Sequence, residues 1–285
     1  MKGNTIVLDH LNGRETAALL VDGQLDDLLI DGDAPRPGTV YRAVAERPVK
    51  GQGGMFLRTP DGPAFLRQIR GLAPGQTILV QVSGYADPGK AIPVTQKLLF
   101  KSRFCIVTPG APGLNVSRSI RDEAERDRLL EIAHDVMEGR EAGLIMRSSC
   151  AGAPEDEIAD DILAMTALAD QVLEDTGAEM ETLCEGDGPH TEAWREWTAP
   201  AEISTEPGGL EILGVLDLID AARRSDVALD GGGYCYVEPT RALVAVDVNT
   251  GRDVSLAAGL KANIACARFT APCAPGPGAW RADRA

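Results

Sequence analysis

No run of about 18 apolar residues occurs anywhere in the 285-residue chain, so no segment is expected to cross a membrane as a helix. Histidine is scarce: His10, His134 and His190 are the only three, and each stands alone. The six cysteines (Cys105, Cys150, Cys184, Cys235, Cys266 and Cys273) form no CxxC pair. A structural zinc site needs such ligands clustered at short spacing, so buried thiols are the expectation here. The first nine residues are too short and too polar a stretch for a secretory signal, which makes a cytoplasmic protein the expectation. Positive charge is in deficit as well, with 28 Lys plus Arg against 43 Asp plus Glu and a net charge of −15.

What is present is the composition of an ordinary globular protein, 44% apolar and 25% charged. The acidic total speaks against a nucleic-acid partner, since phosphate binding draws on Lys and Arg contacts. Charge placement matters more than the sum, however. Residues 36–126 hold 14 Lys plus Arg and six Asp plus Glu, a surplus of eight positive charges. Most of the acid therefore lies outside that stretch.

Residues 17–32, AALLVDGQLDDLLIDG, read as a β-hairpin, because two apolar runs flank Asp22-Gly23 and Asp-Gly is a strong tight-turn signal. A Pro-rich break at 34–38 follows. From 39 to about 108 come six short strand-like runs, TVYRAV, GGMFLRT, GPAFLRQI, QTILVQVS, IPVTQKLL and FCIVTP, which suggest a small barrel or sandwich. Helical periodicity starts after Ser117. Residues 119–122 can cap a helix whose apolar face is Leu129, Leu130, Ile132, Ala133 and Met137. GLIMRSS at 143–149 reads as a buried strand, 155–176 as a second helix, and 184–209, with Trp194 and Trp197, as loop. A short helix at 210–224 precedes a Gly-rich turn at 231–233. YCYVEP and RALVAVDVNTG then pair as a hairpin.

In the last of these strands, period-two alternation puts Leu243, Ala245, Asp247 and Asn249 on one face and Val244, Val246 and Val248 on the other. One carboxylate and one amide oxygen at the end of a buried strand form a typical partial site for Mg²⁺, which takes few protein ligands. Asp and Asn at strand ends are also common turn-formers, and spacing alone leaves both readings open. Lys90, Lys97, Lys101 and Arg103 read either as a track for a nucleic-acid backbone or as a solvated face.

VDVNTG at 246–251, preceded by EPTRAL at 238–243, resembles the catalytic signature of the ribonuclease E/G family. Four further segments resemble that family in order: LLVDGQ at 19–24, GTVYRAVAERPVKGQGGMFLRTPDGPAFL at 38–66, NVSRSI at 115–120 and GLIMRS at 143–148. Together they span roughly residues 15–265. The resemblance implies an α+β chain of several subdomains. It would have an RNase H-like α/β portion (an N-terminal hairpin at 1–35 and a 5′-sensor portion at 109–225), with an OB-type RNA-binding β-barrel inserted at 36–108. A partial DNase I-like catalytic portion would follow at 226–265, and an irregular tail at 266–285. It implies an endoribonuclease acting on single-stranded RNA in RNA processing and decay, with Asp247 and Asn249 as catalytic Mg²⁺ ligands. Arg147 and Ser148 match a pocket that senses a 5′-phosphate, as a guanidinium grips phosphate well. Phe56 and Phe65 match barrel aromatics on which bases stack, although an aromatic in a small barrel is as a rule core.

The resemblance stops near Cys266. A second metal-ligand Asp, and the Cys-rich zinc link through which the family oligomerises, have no counterpart in this sequence, and a homo-oligomer draws no support from it. The Ala-, Pro- and Arg-rich residues 266–285 lead to the expectation of a truncation or altered reading frame there. Two alternatives therefore stand beside the nuclease: a catalytically impaired RNA-binding remnant, and an acidic interaction protein without nucleic acid.

Overall fold

The computed structural model describes residues 2–49, 53–67, 71–229, 232–240 and 243–270. The chain forms two compact units, Met1–Gly209 and Leu210–Ala285. Among the described residues no helix is long and apolar enough to cross a membrane.

The first unit opens with three antiparallel strands, β1 (Asn4–Leu11), β2 (Arg14–Val21) and β3 (Gln24–Ile30). Two tight turns join them. Asn12-Gly13 (φ 53° and 79°) and Asp22-Gly23 (φ 51° and 80°) have positive φ at both central residues, the backbone that matches strand twist in a hairpin. The expected hairpin at 17–32 is thus the second half of a three-stranded meander.

Next comes a closed five-stranded barrel of β4 (Val40–Val49), β5 (Gly54–Thr59), β6 (Gly62–Leu66), β7 (Thr77–Val82) and β8 (Ile92–Thr95). Its order is β4-β5-β6-β8-β7, and β4 closes the ring by also pairing with β7. That arrangement is OB-like. Strand β4 serves both neighbours by bending at an irregularity between Ala45 and Arg47. Alternate side chains point inward, so Tyr41, Ala43, Met55, Leu57, Ala64, Leu66, Val80 and Val94 fill the interior.

The chain then builds a mixed sheet of order β11-β12-β10-β9 from β9 (Phe100–Lys101), β10 (Cys105–Thr108), β11 (Leu114–Val116) and β12 (Gly143–Met146). FCIVTP, counted above with the barrel, is β10 and pairs with β9 and β12, so the barrel ends with β8. Helices α1 (Glu123–Val136) and α2 (Glu155–Leu173) cover this sheet. Asp122 caps α1, accepting from Glu125 N at 2.8 Å. Leu129, Ile132, Ala133 and Met137 are buried as the periodicity requires, with Leu130 partly so. They meet Leu144 and Met146 of β12 and Ile158 and Ile162 of α2.

Residues 184–209 are not loop throughout. After β13 (Glu181–Cys184), which pairs antiparallel with the start of β4, come α3 (Pro189–Glu196) and β14 (Glu202–Ser204). Pro189 opens α3 at a position where a missing N–H costs nothing. Ala193 of α3 packs on Ala17 and Leu29 of the opening sheet, and β14 pairs in parallel with β1.

The second unit begins inside α4 (Gly209–Ile212), which with α5 (Val215–Ala222) is one expected helix split at Gly214, whose φ is 71°. Strands β15 (Asp226–Ala228), β16 (Tyr234–Pro239) and β17 (Val244–Asn249) form an antiparallel sheet, followed by α6 (Leu256–Thr270). The hairpin pairs as expected, but β17 is not buried: Val244 and Val246 are 59% and 44% exposed. Among the described residues only one face of the sheet has a cover. There Cys235, with Val237 and Val248 beside it, meets Ala262 and Cys266 of α6. Residues 266–270, expected to begin an irregular tail, are helical; the rest of that expectation, 271–285, lies outside the described residues. Four of the five described cysteines are buried, and Cys184 is half-buried.

Candidate functional site

Asp247 and Asn249 share the uncovered face of β17. The Asn249 amide Nδ2 donates to Asp247 Oδ2 at 2.8 Å, so the two groups converge as the alternation requires. Tyr236 and Tyr234 stand opposite them on β16, their rings edge-to-face at 5.7 Å. Glycine shapes this end of the sheet. A β-carbon at Gly233 would lie 2.8 Å from the Asn249 carbonyl, and one at Gly251 would run into Gly232. Gly232-Gly233 and the Thr250-Gly251 turn can press together only because Gly233 and Gly251 lack side chains.

An amide can offer either edge, and turned over it presents oxygen beside the carboxylate. The pair therefore fits Mg²⁺ as two of six ligands, with water and substrate oxygens as the rest. Asp253 and Asp226 do not extend it. Asp253 accepts from Ser255 N at 2.9 Å at the start of α6, which, with the Ser255 hydroxyl, holds it below the usual carboxylate range. Asp226 shares the row of Tyr236 and Asp247 but stands two strands away, about 10 Å across the sheet, and forks onto Arg224. Among the described residues no three His, Cys, Asp or Glu side chains are grouped as a metal site.

Phe56 and Phe65 lie on the outside of the barrel, not in its core. They are directly paired across β5 and β6, half-buried, with ring centroids 5.3 Å apart. The Phe65 ring lies over Gly54, where any side chain would collide with it. The Arg47 guanidinium sits 5.1 Å from the centre of Phe56, giving two π faces and a cation on one surface. The basic surplus of residues 36–126 is partly spent internally. Arg36 pairs with Asp31, buried Arg42 with Asp175 and Glu181, and Lys90 with Asp87. Arg47, Lys97 and Lys101 have no carboxylate partner among the described residues.

Arg147 follows β12 and is already engaged. Nη1 donates to the carbonyls of Ser102 (2.6 Å) and Arg195 (3.2 Å), and Nη2 pairs with Glu196 Oε2 at 2.6 Å. The other oxygen of Glu196 accepts from Arg195 Nε at 2.8 Å. Burial pushes the Glu196 carboxyl up, but Arg195 and Arg147 together hold it below its ordinary range. Arg103 likewise donates to the Trp194 carbonyl. Two arginines thus satisfy the carbonyls that end α3, where the helix dipole favours cations. Ser148 is exposed beside them. An incoming phosphate would meet a guanidinium whose anion partner is Glu196, a residue with no assigned role in the reading of the sequence. Its signal there was the Gly-Pro start and the acid-base spacing of residues 188–196.

The sequence matches the profile of the Ribonuclease E/G family over residues 100–205 and 194–268, more than half of the chain. It is 24% identical to Ribonuclease E of Nostoc sp. over 83% of this chain and 42% of that protein. It is 25% identical to Ribonuclease E of Synechocystis sp., over 83% and 43% respectively. Against Ribonuclease G of Escherichia coli the figures are 26% identity over 86% of this chain and 62% of the relative. The chain spans less than two thirds of the length of each. With its closed OB-like barrel and its Asp247–Asn249 strand, the chain belongs to the ribonuclease E/G family.

Proposed function

We propose that this chain is an endoribonuclease of the ribonuclease E/G type, cleaving single-stranded RNA with Mg²⁺ at Asp247 and Asn249. The observation that carries the reading is the convergence of these two side chains on an uncovered sheet face in a member of that family. The opening sheet and the α1/α2 layer are assigned as RNase H-like, and the second unit as part of a DNase I-like catalytic portion.

Each group has a physical task. Phe56 and Phe65 hold unstacked bases against the barrel, with Arg47, Lys97 and Lys101 beside the backbone. Asp247 would offset part of the cation's charge, and Asn249 would offer its amide oxygen as the second protein ligand. A bound Mg²⁺ would supply Lewis-acid stabilisation of the phosphodiester and a water of lowered pKa. Asp247→Ala should lower Mg²⁺-dependent cleavage of a 5′-monophosphorylated single-stranded RNA by roughly a hundredfold or more. Its RNA affinity in EDTA should stay that of the parent. Cleavage that survives the substitution would refute the assignment.

A second reading, an RNA-binding protein without cleavage, draws on one observation: no group of three or more His, Cys, Asp or Glu side chains that could hold a metal occurs among the described residues. Binding by the parent protein with no cleavage at any Mg²⁺ concentration would select it.

Arg147 and Ser148 are assigned to the 5′-phosphate, which must compete with Glu196 for the guanidinium. Glu196→Gln removes the competing charge and should raise the preference for 5′-monophosphate over 5′-hydroxyl RNA by roughly two- to fivefold, the worth of a partly exposed ion pair. An unchanged ratio in a binding titration would show that phosphate does not reach Arg147.

A further inference from the structure

The first unit contains a cavity of about 260 Å³ whose walls include Ile6, Leu8, Trp197 and Ile203, together with Trp194 and Arg103. Its lining is apolar and aromatic with a single charged group, Arg103. That guanidinium lies 4.1 Å from the centre of the Trp194 ring and has no carboxylate partner among the described residues. Burial first and then the neighbouring Arg147 charge work against its protonated form, and the Glu157 carboxylate offsets them only in part. Trp194 is 56% exposed and Ile203 50% exposed, unusual for large apolar groups around a concavity. A larger cavity, near the end of α1, carries Asp135, Glu138 and Glu141 among its walls and is poorly suited to an anion.

Flat apolar walls, a concave shape and one cation without a salt bridge among the described residues together select a ligand with a planar body and a negative charge. Tryptophan and arginine planes are the surfaces on which unstacked bases rest. We propose that this cavity is a nucleotide subsite, taking one base of a single-stranded RNA against Trp194 with its phosphate at Arg103. It rests on the reading of the chain as an RNA-binding protein, and it adds a second contact region to the barrel face. The arginines also tie the subsite to its neighbour. Arg103 and Arg147 end on the consecutive carbonyls of Trp194 and Arg195, so a nucleotide at Arg103 lies next to the guanidinium held by Glu196.

The test is fluorescence anisotropy in EDTA with a labelled, 5′-monophosphorylated oligoadenylate, using the full chain. Trp194→Ala should weaken binding by roughly 5- to 100-fold, while Trp194→Phe keeps a π face and most of the affinity. Arg103→Gln should reduce the slope of log affinity against log salt by about one. Thermal melts of the same proteins show whether Trp194→Ala remains folded, as its exposure predicts. Adenosine 5′-monophosphate is titrated in parallel against the tryptophan fluorescence of the parent and of Trp194→Phe. Parent-like RNA binding by folded Trp194→Ala overturns the proposal. If adenosine monophosphate quenches Trp194 but RNA binding ignores the substitution, the cavity serves a free nucleotide and the RNA assignment is overturned. Phe56→Ala separates the two levels. If it weakens RNA and Trp194→Ala does not, only the subsite fails; if the parent binds no RNA, the underlying reading fails with it.

Discussion

A protein carrying both Phe56→Ala and Phe65→Ala should bind single-stranded RNA at least roughly thirtyfold more weakly than the parent, at about 1–3 kcal/mol for each stacked base. Its folding should change little. Both rings sit outside the barrel, so their removal leaves Leu57, Ala64 and the rest of the interior packed. What is lost locally is one cross-strand aromatic pair, worth ~0.2–1 kcal/mol. Stacking does not depend on counterion release, so the loss should be similar at low and high salt, unlike the effect of removing Lys97 or Lys101. Anisotropy at two salt concentrations, with a thermal melt alongside, reads both quantities. Equal affinities for variant and parent would remove the barrel face from the RNA path.

Gly143→Ala should have the opposite profile, a large loss of stability with no direct contact to any ligand. Gly143 begins β12 and pairs with Thr108 of β10. A β-carbon there would run into the Ala111 carbonyl oxygen and stand 2.5 Å from Thr108 Oγ1. Those two atoms are hydrogen-bonded to each other at 2.9 Å, so neither can withdraw without breaking the turn. Overpacking of this kind costs about 3 kcal/mol, which for a unit of this size is a fall in Tm of roughly 6–12 °C. Gly110→Ala is the control, since nothing lies within 4 Å of a β-carbon there. A melt in which Gly143→Ala unfolds with the parent would mean that β12 shifts freely. Arg147, directly after β12, would then be less firmly placed than its hydrogen bonds imply.

Much of this architecture was legible in local pattern. Asp22-Gly23 marks a turn because only a few residues adopt positive φ cheaply, and period-two alternation alone puts Asp247 and Asn249 on one face. Pairing across long separations was not legible. FCIVTP has the same strand signal whichever sheet receives it, and its partner β12 lies some forty residues on. Helix α3 spans only two turns and buries little beyond Pro189 and Ala193, so periodicity had almost nothing to register. The Glu196–Arg147 pair depends on that helix and joins residues 49 apart. The valines of β17 suggested a buried strand, whereas α6 packs against Val248 on their face and leaves Val244 and Val246 exposed.

The parallel pairing of β14 with β1, Thr5 against Glu202 to Val7 against Ser204, sets a schedule for synthesis. On the ribosome the outer edge of β1 exists long before the strand that covers it. At about 5–20 residues per second, roughly 10–40 s separate the two. For that interval β1 presents unpaired backbone donors and acceptors to any passing strand. The barrel and the α/β layer, complete earlier in the chain, can fold during the wait. The opening sheet cannot finish until residue 204 has left the tunnel, which makes nascent chains arrested between the barrel and β14 the species of this protein most exposed to aggregation.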